Sequence, residues 1–87
     1  MEYEYSEDKS AGNKQKHGID FVEAQELWDD PDLLEIPARS MEDESRYIII
    51  GQIGTSMWSA IVTYRNNRVR IISVRPSRAE EKYLYES

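Results

Sequence analysis

The stretch Met57-Trp58-Ser59-Ala60-Ile61-Val62-Thr63-Tyr64-Arg65-Asn66-Asn67-Arg68-Val69-Arg70-Ile71-Ile72-Ser73-Val74-Arg75 decides the fold. Apolar and β-branched residues fill both arms, and two asparagines separate them. Asparagine tolerates the left-handed backbone, so a two-residue Asn66-Asn67 turn suits a tight hairpin between strands at 57–64 and 68–74. That turn fixes the register, with Arg65 opposite Arg68, Tyr64 opposite Val69, Thr63 opposite Arg70 and Val62 opposite Ile71. Side chains alternate between faces. One face then carries Ile61, Thr63 and Arg65 with Arg68, Arg70 and Ile72. The other carries Trp58, Ala60, Val62 and Tyr64 with Val69, Ile71, Ser73 and Arg75. The second face is the more apolar and should receive the helices. The first is solvated at its turn end and concentrates three guanidinium groups. Like charges directly opposite one another are unfavourable in a hairpin, and an anionic partner would relieve Arg65 and Arg68. A bulge would break the alternation and with it the face assigned to Arg75.

Working outward, residues 47–53 are rich in isoleucine and read as a strand, joined to the hairpin through Gly54-Thr55-Ser56. Before them, 39–45 reads as an exposed loop, and Leu33-Leu34-Glu35-Ile36 as a short strand ended by Pro37. Tyr3 and Tyr5 alternate with Glu2 and Glu4, the pattern of a short amphipathic strand. Ser6 can cap a helix that opens on Glu7-Asp8, runs to about Lys16 and stops at Gly18, with Lys14, Lys16 and His17 in its last turn. Only Ala11 in it is apolar, so it should be largely exposed. Asp20 and Glu23 form a capping box for a second helix, whose Phe21, Ala24 and Trp28 share one face, and Asp29-Asp30-Pro31-Asp32 ends it. Ser77-Arg78-Ala79-Glu80 is a further capping box opening a last helix, with Pro76 just outside. The expected fold is α+β with a small antiparallel sheet: an N-terminal strand, two helices, a meander of three or four strands and a C-terminal helix.

Length and composition agree. Eighty-seven residues make one domain, 1–87, and 39% hydrophobic with 32% charged residues is a globular composition. No apolar run approaches the ~18–20 residues of a membrane span. The acidic N-terminus does not resemble a secretory signal, which makes the cytoplasm the expected location. Cysteine is absent and His17 is the single histidine, which excludes disulfides, thiolate chemistry and a zinc site built on several imidazoles. The Asp29–Asp32 carboxylates straddle a helix end and read as solvated. No cofactor is implied.

The net charge of −6 argues against a nucleic-acid partner until its distribution is considered. Residues 1–44 hold 14 acids against Lys9, Lys14, Lys16 and Arg39, a net of −10. Residues 45–87 carry a net of +4, and from 45 to 79 there are six arginines and no acid. A polyanion responds to the local field of one face, not to the average. The alternative for the same residues is a solvated sheet surface paired with acids from the first half.

Several segments carry a family pattern. Lys16-His17-Gly18-Ile19 is followed by Phe21, Glu23-Ala24 and Asp30-Pro31. Glu44-Ser45-Arg46-Tyr47 leads to Gly51. Arg68-Val69-Arg70-Ile71-Ile72-Ser73-Val74-Arg75 is followed by Arg78, Glu81, Tyr83 and Tyr85-Glu86. In this order and spacing they resemble the BrnT family, toxins of type II toxin–antitoxin systems with a RelE-like ribonuclease fold. The resemblance implies RNA cleavage that arrests growth, and neutralisation by a BrnA-like antitoxin that itself binds DNA and can form a hetero-oligomer with the toxin.

Metal-free RNA cleavage requires a group to deprotonate or position the 2′-OH, cations for the phosphorane-like transition state, and a donor for the leaving 5′-oxygen. Arg75 is the first choice for phosphate stabilisation, because guanidinium forks suit phosphate and a helix N-terminus follows it. Its bland alternative is a pair with Glu80. Arg46, just before a strand, is the second choice, against a pair with Glu44 or Glu42. Arg65, Arg68, Arg70 and Arg78 are expected to contact the RNA backbone. His17 can act as acid or base, since imidazole titrates near neutrality, or can simply cap its helix. Lys16 is a candidate proton donor or phosphate contact, and Glu81 completes the catalytic candidates. Tyr83, Tyr64 and Trp58 read as core. The rival to the ribonuclease is a non-catalytic interaction module of the same fold that binds an antitoxin-like partner; a plain anion- or nucleic-acid-binding domain comes third.

Overall fold

In the computed structural model, which describes residues 1–39 and 44–87, the order is β1 (Glu2–Glu4), α1 (Glu7–His17), a 3₁₀ helix (Glu23–Asp29), β2 (Leu34–Ala38), β3 (Arg46–Ile53), β4 (Ser56–Arg65), β5 (Arg68–Pro76) and α2 (Ala79–Glu86). The five strands form one mixed sheet in the order β1-β5-β4-β3-β2. The meander β2–β5 is antiparallel as expected; β1 adds a parallel edge against β5. The fold class is α+β. Of the loop expected over 39–45, residues 40–43 lie outside the described residues, and so does Glu42.

Asn66 and Asn67 take φ of 49° and 63°, the left-handed pair that a two-residue hairpin turn demands. The register is the expected one from Arg65↔Arg68 through Val62↔Ile71, and then it shifts. Ile61 pairs with Ser73, which leaves Ile72 as an extra residue in β5. Beyond this bulge the faces exchange. Val74 joins Val69 and Ile71 in the core. Ser73 and Arg75 turn to the side of Ile61, Thr63 and Arg65, because Arg75 stands opposite Ser59. The expectation that Arg75 lies on the apolar face is corrected by that one residue.

The core lies on the other face. Ile19, Phe21, Ala24 and Leu27 pack there against Ile49, Ala60, Val62, Val69, Ile71 and Val74. Burying each large side chain contributes roughly 1.5–3 kcal/mol. Tyr3 meets Trp28, and Tyr5 meets Phe21, edge to face at 5.2 and 5.7 Å, which ties the N-terminal strand to the 3₁₀ segment. Gly51 lets Leu27 approach, since a Cβ there would lie 3.0 Å from Leu27 Cδ2 and 3.3 Å from Asp30 Oδ2.

Several local expectations hold, and several are corrected. Ser6 caps α1, and Gly18 ends it at φ 80°. Helix α1 is not simply an exposed polar rod, because Ser10 and Asn13 are buried. Ser10 Oγ accepts from Phe21 N at 2.9 Å. Asn13 donates to Ile19 O at 2.8 Å and accepts from Val74 N at 3.1 Å, which satisfies β5 where the short β1 no longer reaches. The Asp20/Glu23 box forms, Glu23 N donating to Asp20 Oδ1 and Asp20 N to Glu23 Oε1. The helix it opens is 3₁₀ rather than α, with Leu27 on its buried side.

Pro37 does not end its strand. It lies within β2, opposite Tyr47, as an edge strand permits. The last helix is capped one residue late, with Arg78 at the cap and Arg78 N donating to Glu81 Oε1 at 2.8 Å, because Ser77 Oγ turns to Ser59. Helix α2 also sits over the sheet face opposite the core, over Ser59, so the helices do not share one face. Tyr83 is 73% exposed and Tyr64 is exposed, not core; Trp58 packs against the core's rim.

Candidate active site

The sheet face away from the core is where the candidate cations gather. Arg65 and Arg70 project from the turn end of the hairpin, Arg46 from the start of β3, and Arg75 from the far end of β5. The bulge at Ile72 is what puts Arg75 on this side. Arg46, Arg70 and Arg75 are half-buried, whereas Arg65, Arg68 and Arg78 are exposed.

Arg75 is held most firmly. Its Nη1 and Nη2 donate to Glu81 Oε1 and Oε2, each at 2.7 Å, an end-on bidentate pair, and Nη1 also reaches Pro76 O at 3.4 Å. The partner is Glu81, not Glu80. Glu81 is locked in turn. Its Oε1 accepts from Ser59 Oγ at 2.9 Å and from Arg78 N at 2.8 Å, while Ser59 Oγ and Ser77 Oγ share a hydrogen bond of 2.8 Å. The Glu81 side chain is 6% exposed and that of Arg75 21%. The guanidinium of Arg75, helped by the Arg78 N–H and the Ser59 hydroxyl, holds the Glu81 carboxyl down to about 2 against the burial that opposes it. Glu81 is therefore ionised at neutral pH and saturated with donors.

A guanidinium has five N–H donors in a fixed plane. Glu81 and the Pro76 carbonyl engage three of those on Arg75. Among the described residues the Nε–H and the second Nη2–H have no partner; they lie side by side on one edge, the geometry that donates to two oxygens of a phosphate. Ser59 went unnoticed in the sequence, and Ser77 reads there only as a helix cap. Their signal is visible only once the bulge sets Ser59 opposite Arg75.

At the turn end Arg65 grips Glu44 side-on, through Nε to Oε2 and Nη2 to Oε1, the latter at 3.0 Å. Arg65, then Arg46 and Arg70, hold the Glu44 carboxyl below its ordinary range. Glu44 thus goes to Arg65; of the bland alternative for Arg46, a pair with Glu44 or Glu42, Glu42 lies outside the described residues. Arg68 pairs with Glu2 at 3.2 Å. The arginines do share a face, with carboxylates of the same chain against Arg65, Arg68 and Arg75.

Lys16 is exposed and His17 half-buried at the C-terminus of α1. No hydrogen bond among the described residues joins either to Arg75 or Glu81. The Asp29–Asp32 carboxylates are not merely solvated. Asp30 accepts from Gln52 N, Asp32 N and Tyr85 Oη at 2.7–2.8 Å and so fastens the end of the 3₁₀ helix to β3 and α2. Among the described residues, no group of three His, Asp or Glu side chains is placed to hold a metal ion, and no helix is long and apolar enough to cross a membrane.

Over residues 5–81 the chain matches a family of ribonuclease toxins from type II toxin–antitoxin systems. That family is BrnT, and the chain belongs to it. No curated protein matches the chain.

Proposed function

We propose that this chain cleaves RNA without a metal ion, on the sheet face that bears Arg46, Arg65, Arg70 and Arg75, in the cytoplasm, and that a BrnA-like DNA-binding antitoxin silences it by covering that face. The observation that supports this reading best is the side-on fork of Arg75, left available by the end-on grip of Glu81. In that arrangement Arg75 supplies the positive charge that offsets charge developing on the phosphorane-like transition state. Arg46, at the turn end of the same face, joins Arg65, Arg68, Arg70 and Arg78 in holding the flanking backbone. Glu81, fully ionised and donor-saturated, positions Arg75 and moves no proton. Proton transfer falls to His17 and Lys16.

The test is cleavage of RNA by the purified protein in EDTA. Arg75→Ala should lose at least a hundredfold of the rate with an unchanged circular dichroism spectrum. Arg75→Lys, which keeps a charge against Glu81 but lacks the fork, should lose at least tenfold. Wild-type rates in both variants would overturn the assignment.

The second reading is a non-catalytic antitoxin-binding module. It is favoured by one observation, that the carboxylate nearest the proposed phosphate site is too acidic to transfer protons. It predicts intact RNA, with or without Mg²⁺, from folded protein that still captures an antitoxin.

A further inference from the structure

The turn end of the sheet carries a second concentration of cations, about 15 Å along β5 from Arg75 at ~3.3 Å per residue. Glu44 is seated among them. Arg65 holds it by a side-on fork of two N–H groups. The backbone behind it is fixed, since the buried Thr63 donates its hydroxyl to Ser45 O at 2.6 Å. The side chains of Arg65 and Glu44 are 48% and 34% exposed, and an ion pair so open to water adds little to stability. Arg65 and Arg68 also face each other across the hairpin, an arrangement unfavourable for the bare fold. The cluster is better accounted for by what it binds than by what it stabilises. Two carboxylate oxygens in a guanidinium fork occupy the places that two phosphate oxygens would take.

We propose that Arg65, Arg70 and Arg46 form a second site for an RNA backbone phosphate, and that Glu44 sits in it in the free protein as an internal stand-in for the phosphodiester. This rests on the ribonuclease reading above and names a subsite of the same face. The field of Arg46 and Arg70 on the Glu44 carboxyl, alongside that of Arg65, is consistent with it. RNA that reaches this site must displace Glu44. The free protein therefore binds a single strand more weakly than its arginines alone would, and with a shallower dependence on salt.

The experiment measures binding of a short 2′-O-methyl oligoribonucleotide, which cannot be cleaved, by fluorescence anisotropy at several salt concentrations. Glu44→Gln should tighten Kd about three- to tenfold and steepen the slope of log K against log salt by about 0.7, one further phosphate neutralised on a single strand. In an Arg65→Ala background the same substitution should change Kd less than twofold. Wild-type Kd and slope in Glu44→Gln, or equal tightening with and without Arg65, would overturn the proposal. Cleavage of natural RNA by the wild type, run in parallel, separates the two readings. If it cleaves while Glu44→Gln binds no tighter, the phosphate site alone falls; if it neither cleaves nor binds, the ribonuclease reading falls as well.

Discussion

Arg75 and Glu81 meet end-on through two hydrogen bonds of 2.7 Å, joining the last residues of β5 to the first turn of α2. The pair lies over Ser59 in the middle of the sheet, and the Ser59 hydroxyl reaches the same carboxylate. One contact thus docks the C-terminal helix and aims a guanidinium.

Glu81→Gln keeps the shape and removes the charge. One amide oxygen still accepts, while the amide nitrogen confronts Arg75 with a donor. The variant should be less stable by about 3 kcal/mol, since one partner of a largely buried pair is lost. Urea denaturation checks this. RNA cleavage should fall at least tenfold, with the loss in kcat rather than KM if Glu81 works through the orientation of Arg75.

The same carboxyl gives the acid limb of stability. It titrates at about 2 in the folded chain against an ordinary value of 4.5. A depressed folded pKa means that its contribution is complete above pH ~4.5 and is lost as pH falls towards 2, about 3 kcal/mol in all. Unfolding free energy followed from pH 6 to pH 2 should drop through this window in the wild type. In Glu81→Gln that part of the curve should be flatter.

Asn13→Ala should be among the costlier changes in α1, although the helix reads as polar and exposed. It would strand the Val74 N–H and the Ile19 carbonyl, both now satisfied by one amide. The expected cost is about 2–4 kcal/mol. A fall in Tm of about 10 °C or more in a thermal melt would verify it.

What could be read from the sequence was local. Asn66 and Asn67 set the hairpin register because their left-handed preference acts within two residues. Ser6, Gly18 and the Asp20/Glu23 box mark helix ends for the same reason. What could not be read was tertiary. Nothing near Ile72 announces that β5 carries one residue too many, so Arg75 could not be placed by alternation. Asn13 and Ser10 are buried because they complete backbone groups of β5 and the 3₁₀ segment, partners that helical periodicity does not see. The cap at Ser77 was lost to a stronger claim by Ser59, on a strand 18 residues away. For the candidate site, the residue types were legible, whereas the pairing of Glu81 with Arg75 and of Glu44 with Arg65 needed the sheet to be assembled first.

The extra residue in β5 makes the pairing of this strand, as much as its chemistry, decide what is buried. Ironing the bulge flat with Ile72 kept in the ladder would set Ile72 opposite Ile61 and rotate everything after it by half a turn. Val74 would swing out to solvent, and Arg75 would be driven under Phe21 and Leu27. Deleting Ile72 itself would leave Ser73 opposite Ile61 and every later side chain on its present face, so a related chain can drop this one residue and keep its inside and outside.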